Sequence, residues 1–171
     1  QLNALGAAFQ WDELAGGFRY GHAFARQLLA KYPKAKRRQA AEYYAIRPGY
    51  NRRERVDVWM AELADYVARY GDSGTLEITL ARRSLAGIYG NLWQLLTHER
   101  AINEAAPFVT DDAEADARRA EKYRQLALRL HADYLLSSAG TTSLGHPDAA
   151  RETAQRLRLG ESDHSAWMLR D

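Results

Sequence analysis

Read for its apolar and polar positions, the chain is a succession of helical stripes. The pattern predicts a first short helix over 3–14, with Leu5, Phe9 and Leu14 as its apolar residues and Gly16-Gly17 ending it. A second helix is expected over 18–32, where Phe18, Ala25, Leu28, Leu29 and Tyr32 recur on one face. Pro33 stops it, because proline lacks the N–H and restricts the residue before it. The third segment, 34–46, is basic at its start and aromatic at its end, and Arg47-Pro48-Gly49 reads as a turn.

The clearest helix is expected to open at Asn51, with Glu54 three residues on as a capping-box partner. Its stripe is Val56, Trp59, Met60, Leu63, Val67 and Tyr70, and Gly71 suits the left-handed position past its end. A long helix follows over 75–106, striped by Leu85, Ile88, Leu92, Leu95 or Leu96, and Ile102, and closed by Pro107. Gly87 and Gly90 inside it mark a kink or a close helix–helix contact. Asp111 and Glu114 open the next long helix, whose Ala117, Ala120, Tyr123, Ala127, Leu130 and Tyr134 form a near-heptad seam suited to antiparallel packing on its predecessor. Pro147 starts a last short helix to about Leu157, with Gly160 beyond it, and 162–171 adds a turn or two. Strand signals are nearly missing. The expectation is an all-α, single-domain bundle of six or seven helices spanning 1–171, two of them long.

Composition narrows the function classes. The 171 residues are 46% hydrophobic and 27% charged, which is globular composition. No stretch approaches the roughly 20 apolar residues of a membrane span. Cysteine is absent, which removes disulfides, thiol nucleophiles and thiolate metal sites. The chain starts at Gln1, so a processed or secreted chain stands beside the cytoplasmic expectation.

Charge changes the picture most. The net is only +2, but residues 31–55 carry nine basic residues against Glu42 and Glu54, a net of +7 that leaves −5 for the remainder. Lys34, Lys36, Arg37, Arg38, Arg47, Arg52 and Arg53 flank the Pro-Gly turn and are interleaved with Tyr32, Tyr43, Tyr44 and Tyr50. Such cations bind phosphate backbones through counterion release, and tyrosine and arginine faces stack on unpaired bases. These seven residues are the expected nucleic-acid contacts.

Catalytic and metal signals are incomplete. His98-Glu99 begins a zinc-protease pattern, but Ile102 stands where the second histidine belongs. Glu161 and His164 supply one of the two Glu/His pairs that a di-iron bundle needs. Ser137, Ser138, Thr141, Thr142 and Ser143 lie near His146 and Asp148 without a nucleophile-elbow pattern, as a self-bonding turn would. Gly87-Ile88-Tyr89-Gly90 falls in a helical stripe rather than in an RNA-clamping loop. An enzyme would require a pocket that brings His98, Glu99 and His131 together. No cofactor and no metal are expected. The function expected is a non-enzymatic helical subunit that meets nucleic acid and neighbouring protein subunits, with self-association through opposite charge as a further partnership. The alternative is an adaptor, or a secreted interaction domain, whose basic segment docks an acidic protein surface.

Overall fold

The computed structural model describes residues 9–12, 17–20, 22–46, 56–102, 108–137 and 147–161. Six helices carry the fold: α1 (His22–Lys31), α2 (Arg38–Ala45), α3 (Val56–Tyr70), α4 (Leu76–His98), α5 (Ala113–Leu136) and α6 (Pro147–Leu159). Single 3₁₀ turns follow α3 at Gly71–Ser73 and α4 at Arg100–Ile102. The class is all-α, with α4 and α5 as its long members.

One expected helix is replaced. Over 3–14 the pattern predicts a helix, yet Phe9–Asp12 is a strand, β1, paired antiparallel with β2 (Gly17–Tyr20) in the register Phe9 with Tyr20 and Trp11 with Phe18. Phe9, Trp11, Phe18 and Tyr20 alternate at period two, and aromatic residues favour such pleated pairing. The second helix accordingly starts at His22 rather than at Phe18.

α4 and α5 form the spine. Arg83 lies over Tyr134, Tyr89 stacks on Tyr123 at 5.6 Å and Arg100 meets Asp116, so the numbers fall on one helix as they rise on the other and the pair is antiparallel. The α4 stripe is buried as its spacing predicts, including Leu85, Ile88, Leu92 and both Leu95 and Leu96. On α3, Val56, Trp59, Leu63 and Tyr66 are buried, with Met60, Val67 and Tyr70 packed at the edge. α3 packs on α4, α1 on α2 and α6 on α5.

These side chains make two apolar clusters. The larger joins Val56, Leu63, Tyr66, Ile78, Leu85, Ile88, Leu92 and Leu130. The smaller joins Trp93, Leu96, Ala120, Ala127 and Leu157. Tyr89 and Tyr123 pack against both. Trp93, one helical turn on from Tyr89, is buried in the smaller cluster. α4 runs unbroken past its glycines. An added Cβ at Gly90 would lie 3.9 Å from Leu157, so α6 seats a leucine directly over that position.

Helix ends follow local chemistry, with some displaced from their expected places. The long helix expected over 75–106 ends at His98, with Glu99 as its C-cap and Ile102 in the 3₁₀ turn beyond. Asp112, not Asp111, caps α5: its carboxylate accepts the Ala115 N–H at 2.9 Å. The left-handed glycine between α3 and α4 is Gly74 (φ 64°), not Gly71, which opens the 3₁₀ turn. At the end of α6 the Glu161 N–H bonds Arg156 O at 3.0 Å and Gly160 N–H bonds Leu157 O at 3.3 Å, with Gly160 at φ 70°. That is the paired hydrogen bonding of a glycine-terminated helix. The Asn51 cap, the Arg47-Pro48-Gly49 turn, most of the Ser/Thr loop and the last turn over 162–171 lie outside the described residues.

Candidate functional site

The residues between α1 and α2 form a fully exposed basic turn. Every residue from Lys31 to Arg38 is exposed. The backbone there is ordered by its own bonds: Tyr32 N–H to Leu28 O at 2.8 Å, Ala35 N–H to Tyr32 O at 3.1 Å, and Arg38 N–H to Ala35 O at 3.0 Å. Pro33 cannot extend α1, and these successive turns carry the chain into α2 instead. Lys34, Lys36 and Arg37 project from this frame, and none of them is in an ion pair among the described residues. Tyr32, which falls on the apolar face by spacing, is 50% exposed. The Lys31 ammonium sits over its ring, 5.4 Å from the centroid.

Arg38 has a different job from its neighbours. Its Nη1 donates to the Pro33 carbonyl at 2.5 Å, and its Nε donates to Glu42 Oε1 at 2.6 Å. One side chain thus ties the turn to α2. Glu42 is the anchor of a wider network. Its second oxygen accepts from Arg69 Nη1 at 2.6 Å and from the Tyr70 hydroxyl at 2.8 Å, both on α3. Burial pushes the Glu42 carboxyl up, but the bonds from Tyr70, Arg69 and Arg38 outweigh it and hold the group below its ordinary value. Nearby, Gln39 donates to Ser73 Oγ and Thr75 Oγ1, and Tyr66 donates to the Gln39 carbonyl. The basic turn is therefore fixed to α3 and to the start of α4 through α2.

Of the seven expected contacts, Lys34, Lys36 and Arg37 share this turn and Arg38 braces it. Arg47, Arg52 and Arg53 lie outside the described residues, as does Tyr50. Tyr43 and Tyr44 are half-buried and packed edge to face, 5.2 Å apart, with Tyr43 also 5.8 Å from Tyr66. They roof the core, so Tyr32 is the tyrosine that the turn presents to solvent.

Beside the network, α1, α2 and α3 border an open cleft of about 290 Å³. Its charged lining is paired off: Arg26 with Glu62 at 3.6 Å, Arg69 with Asp65 at 2.8 Å and with Glu42 at 2.6 Å, and Glu42 also with Arg38 from outside the cleft. The cleft thus has little unspent charge with which to hold an ion.

Elsewhere two buried polar groups stand out. Asp116 has no exposed surface. It accepts from Thr110 N at 3.0 Å, Thr110 Oγ1 at 2.8 Å, Arg100 Nε at 3.1 Å and Arg119 Nη2. Burial raises its carboxyl, yet those four donors dominate and hold it far below the carboxylate range. The arrangement closes the connection between α4 and α5 and is saturated, so it has no capacity left for a ligand. His131 is the opposite case. It is 5% exposed, and neither ring nitrogen has a hydrogen-bond partner among the described residues. Burial, with the Arg83 cation adding to it, pushes its pKa down to about 4.

The structure does not bring the histidine candidates together. His131 lies at the Arg83 end of the spine, and His98 at the other end against Trp93. His98 lies about four helical turns beyond Arg83 on α4, about 22 Å of helix at about 1.5 Å per residue. Glu99 accepts from Gln94 Nε2 at 2.8 Å. Among the described residues no group of three or more His, Asp or Glu side chains is placed to hold a metal ion, and no helix is long and apolar enough to cross a membrane. No protein family, curated protein or solved structure matches the chain.

Proposed function

We propose that this chain is a non-enzymatic helical subunit that holds a nucleic-acid backbone on the basic turn between α1 and α2. One observation carries the reading. Lys34, Lys36 and Arg37 stand exposed on an ordered turn, beside Lys31, with no carboxylate paired to them among the described residues. Cations already spent on ion pairs release few counterions from a polyanion; unspent ones release about one each. The ordered turn adds to this, because the cations are held on one frame before binding and little backbone entropy is lost. In this reading Arg38 braces the turn, Arg47, Arg52 and Arg53 extend the contact, and the chain works among neighbouring subunits in the cytoplasm.

The test is a fluorescence-anisotropy titration with labelled oligonucleotides across a salt series. Four turn cations predict a slope of log K against log salt of about −3 on a single strand, steeper if the three further arginines take part. The triple variant Lys34→Glu, Lys36→Glu, Arg37→Glu should lose most of the affinity and flatten the slope. Absence of binding at low salt sinks the proposal, and so does a triple variant that binds as the parent does.

A further inference from the structure

We infer that the basic turn takes single-stranded nucleic acid, with one unpaired base stacked on Tyr32. The inference rests on the proposed function and specifies its ligand.

Tyr32 closes α1 and opens the turn, its N–H bonded to Leu28 O and its carbonyl accepting from Ala35. Both ends of the residue are therefore fixed, yet its side chain is not part of the core. Half of the residue is open to solvent, which is unusual for a ring that could have packed inward as Tyr43, Tyr66 and Tyr70 do. The Lys31 ammonium lies over one face of the ring, so a stacked base takes the other face with a cation close by. Lys34, Lys36 and Arg37 follow within five residues on the same exposed segment. An aromatic face with cations on both sides in sequence is what a single strand uses: the phosphates follow the charges, and a base lies on the ring.

Duplex does not suit the ring. Its bases are already stacked and paired, so an aromatic side chain reaches a base face only by opening the helix. The turn between α1 and α2 presents neither a helix nor a ribbon to a major groove. A base-bearing single strand can use the turn's cations and Tyr32 together, whereas a duplex or an abasic strand can use only the cations.

The experiment compares three probes on the full chain at one low salt concentration: a thymidine oligomer, an abasic strand of the same length, and a duplex. The thymidine oligomer should bind more tightly than the abasic strand. Tyr32→Ala should weaken the thymidine oligomer by roughly 5- to 100-fold, the range of one stacked base, and leave the abasic strand unchanged. Tyr32→Phe should retain parent affinity, because it keeps the ring and loses only the hydroxyl. An unchanged far-ultraviolet circular dichroism spectrum checks the fold of each variant.

Two results overturn the inference, and they differ from each other. If all three probes bind but Tyr32→Ala affects none of them, stacking is wrong and the phosphate-binding reading stands. If no probe binds the parent protein, both fall together.

Discussion

Acidification reaches the interior of the α4–α5 pair through a single imidazole. His131 is buried, its ring nitrogens unpartnered among the described residues, and burial beside Arg83 pushes its pKa from 6.5 down to about 4. The folded protein thus holds this ring neutral where the unfolded chain protonates it. A depressed histidine gives a stability contribution that is complete above the unfolded pKa and is lost as pH falls towards the folded one. Between 6.5 and 4 the unfolded state binds more protons, so the loss accumulates across that window. With 1.36 kcal/mol per unit, it comes to about 2 kcal/mol from pH 7 to pH 5 and about 3 kcal/mol by pH 4. The two buried carboxylates with lowered values do not confuse the upper part of the window. Glu42 and Asp116 have folded pKa values lowered from 4.5 and 3.8, so their contributions are lost only as pH falls below those ordinary values. Urea unfolding at a series of pH values measures the effect, with His131→Leu as the control. The variant removes the titrating group and two unpaired buried nitrogens while keeping an apolar side chain of similar size. Its stability should match or exceed the parent's at pH 7, and the difference in its favour should grow by about 2 kcal/mol at pH 5. Parallel pH profiles for the two proteins would falsify the assignment of His131 as a buried neutral ring.

Further outcomes follow from the saturated aspartate and from two glycines. Asp116→Ala strips a hydroxyl, a backbone N–H and two guanidinium groups of their common acceptor, and should cost about 3 kcal/mol in urea unfolding, since removing one partner leaves the others uncompensated. Alanine at two glycines should act with opposite signs. Gly90→Ala sits in a helix with Leu157 at ordinary contact distance, so it should raise stability by about 0.5–1 kcal/mol. Gly74→Ala meets no neighbour within 4 Å but must hold φ at 64°, so it should lower stability by about 1 kcal/mol from the backbone alone. Thermal melts of the two variants beside the parent decide both.

Hydrophobic spacing located what hydrophobic burial holds together. The α3 stripe from Val56 to Leu63, the α4 stripe from Leu85 to Leu96 and the Tyr123–Tyr134 part of the α5 seam are all packed where their periods place them. Pro147 and Gly160 bracket α6 because their backbone chemistry is local. The departures have physical causes of a different sort. At the start of α5 the pattern selects Ala117 for the seam, but Ala117 is exposed and Asp116 is buried beside it. Four donors, arriving from Thr110, Arg100 and Arg119, make that burial favourable, and no apolar period encodes donors from elsewhere in the chain. Tyr32 fits the α1 stripe by spacing and yet faces solvent, because Pro33 ends the helix and the turn carries the ring away. Phe9 and Trp11 satisfy either a short helix or a strand, and the pairing with Phe18 and Tyr20 settles the choice through a second segment. The basic site was legible as a charge run. Its division into cations that project and an Arg38 that braces depends on Glu42, Arg69 and Tyr70, which only the packing of α2 on α3 brings into reach.

The stacked tyrosines of α4 and α5 have a consequence for how the molecule comes apart. Tyr89 and Tyr123 touch both apolar clusters, so their ring pair is a shared wall between the half containing α3 and the half containing α6. Loss of packing on one side exposes a surface of the other. Loss of packing around α6 therefore bears on the same two rings that pack against the α3 side of the spine.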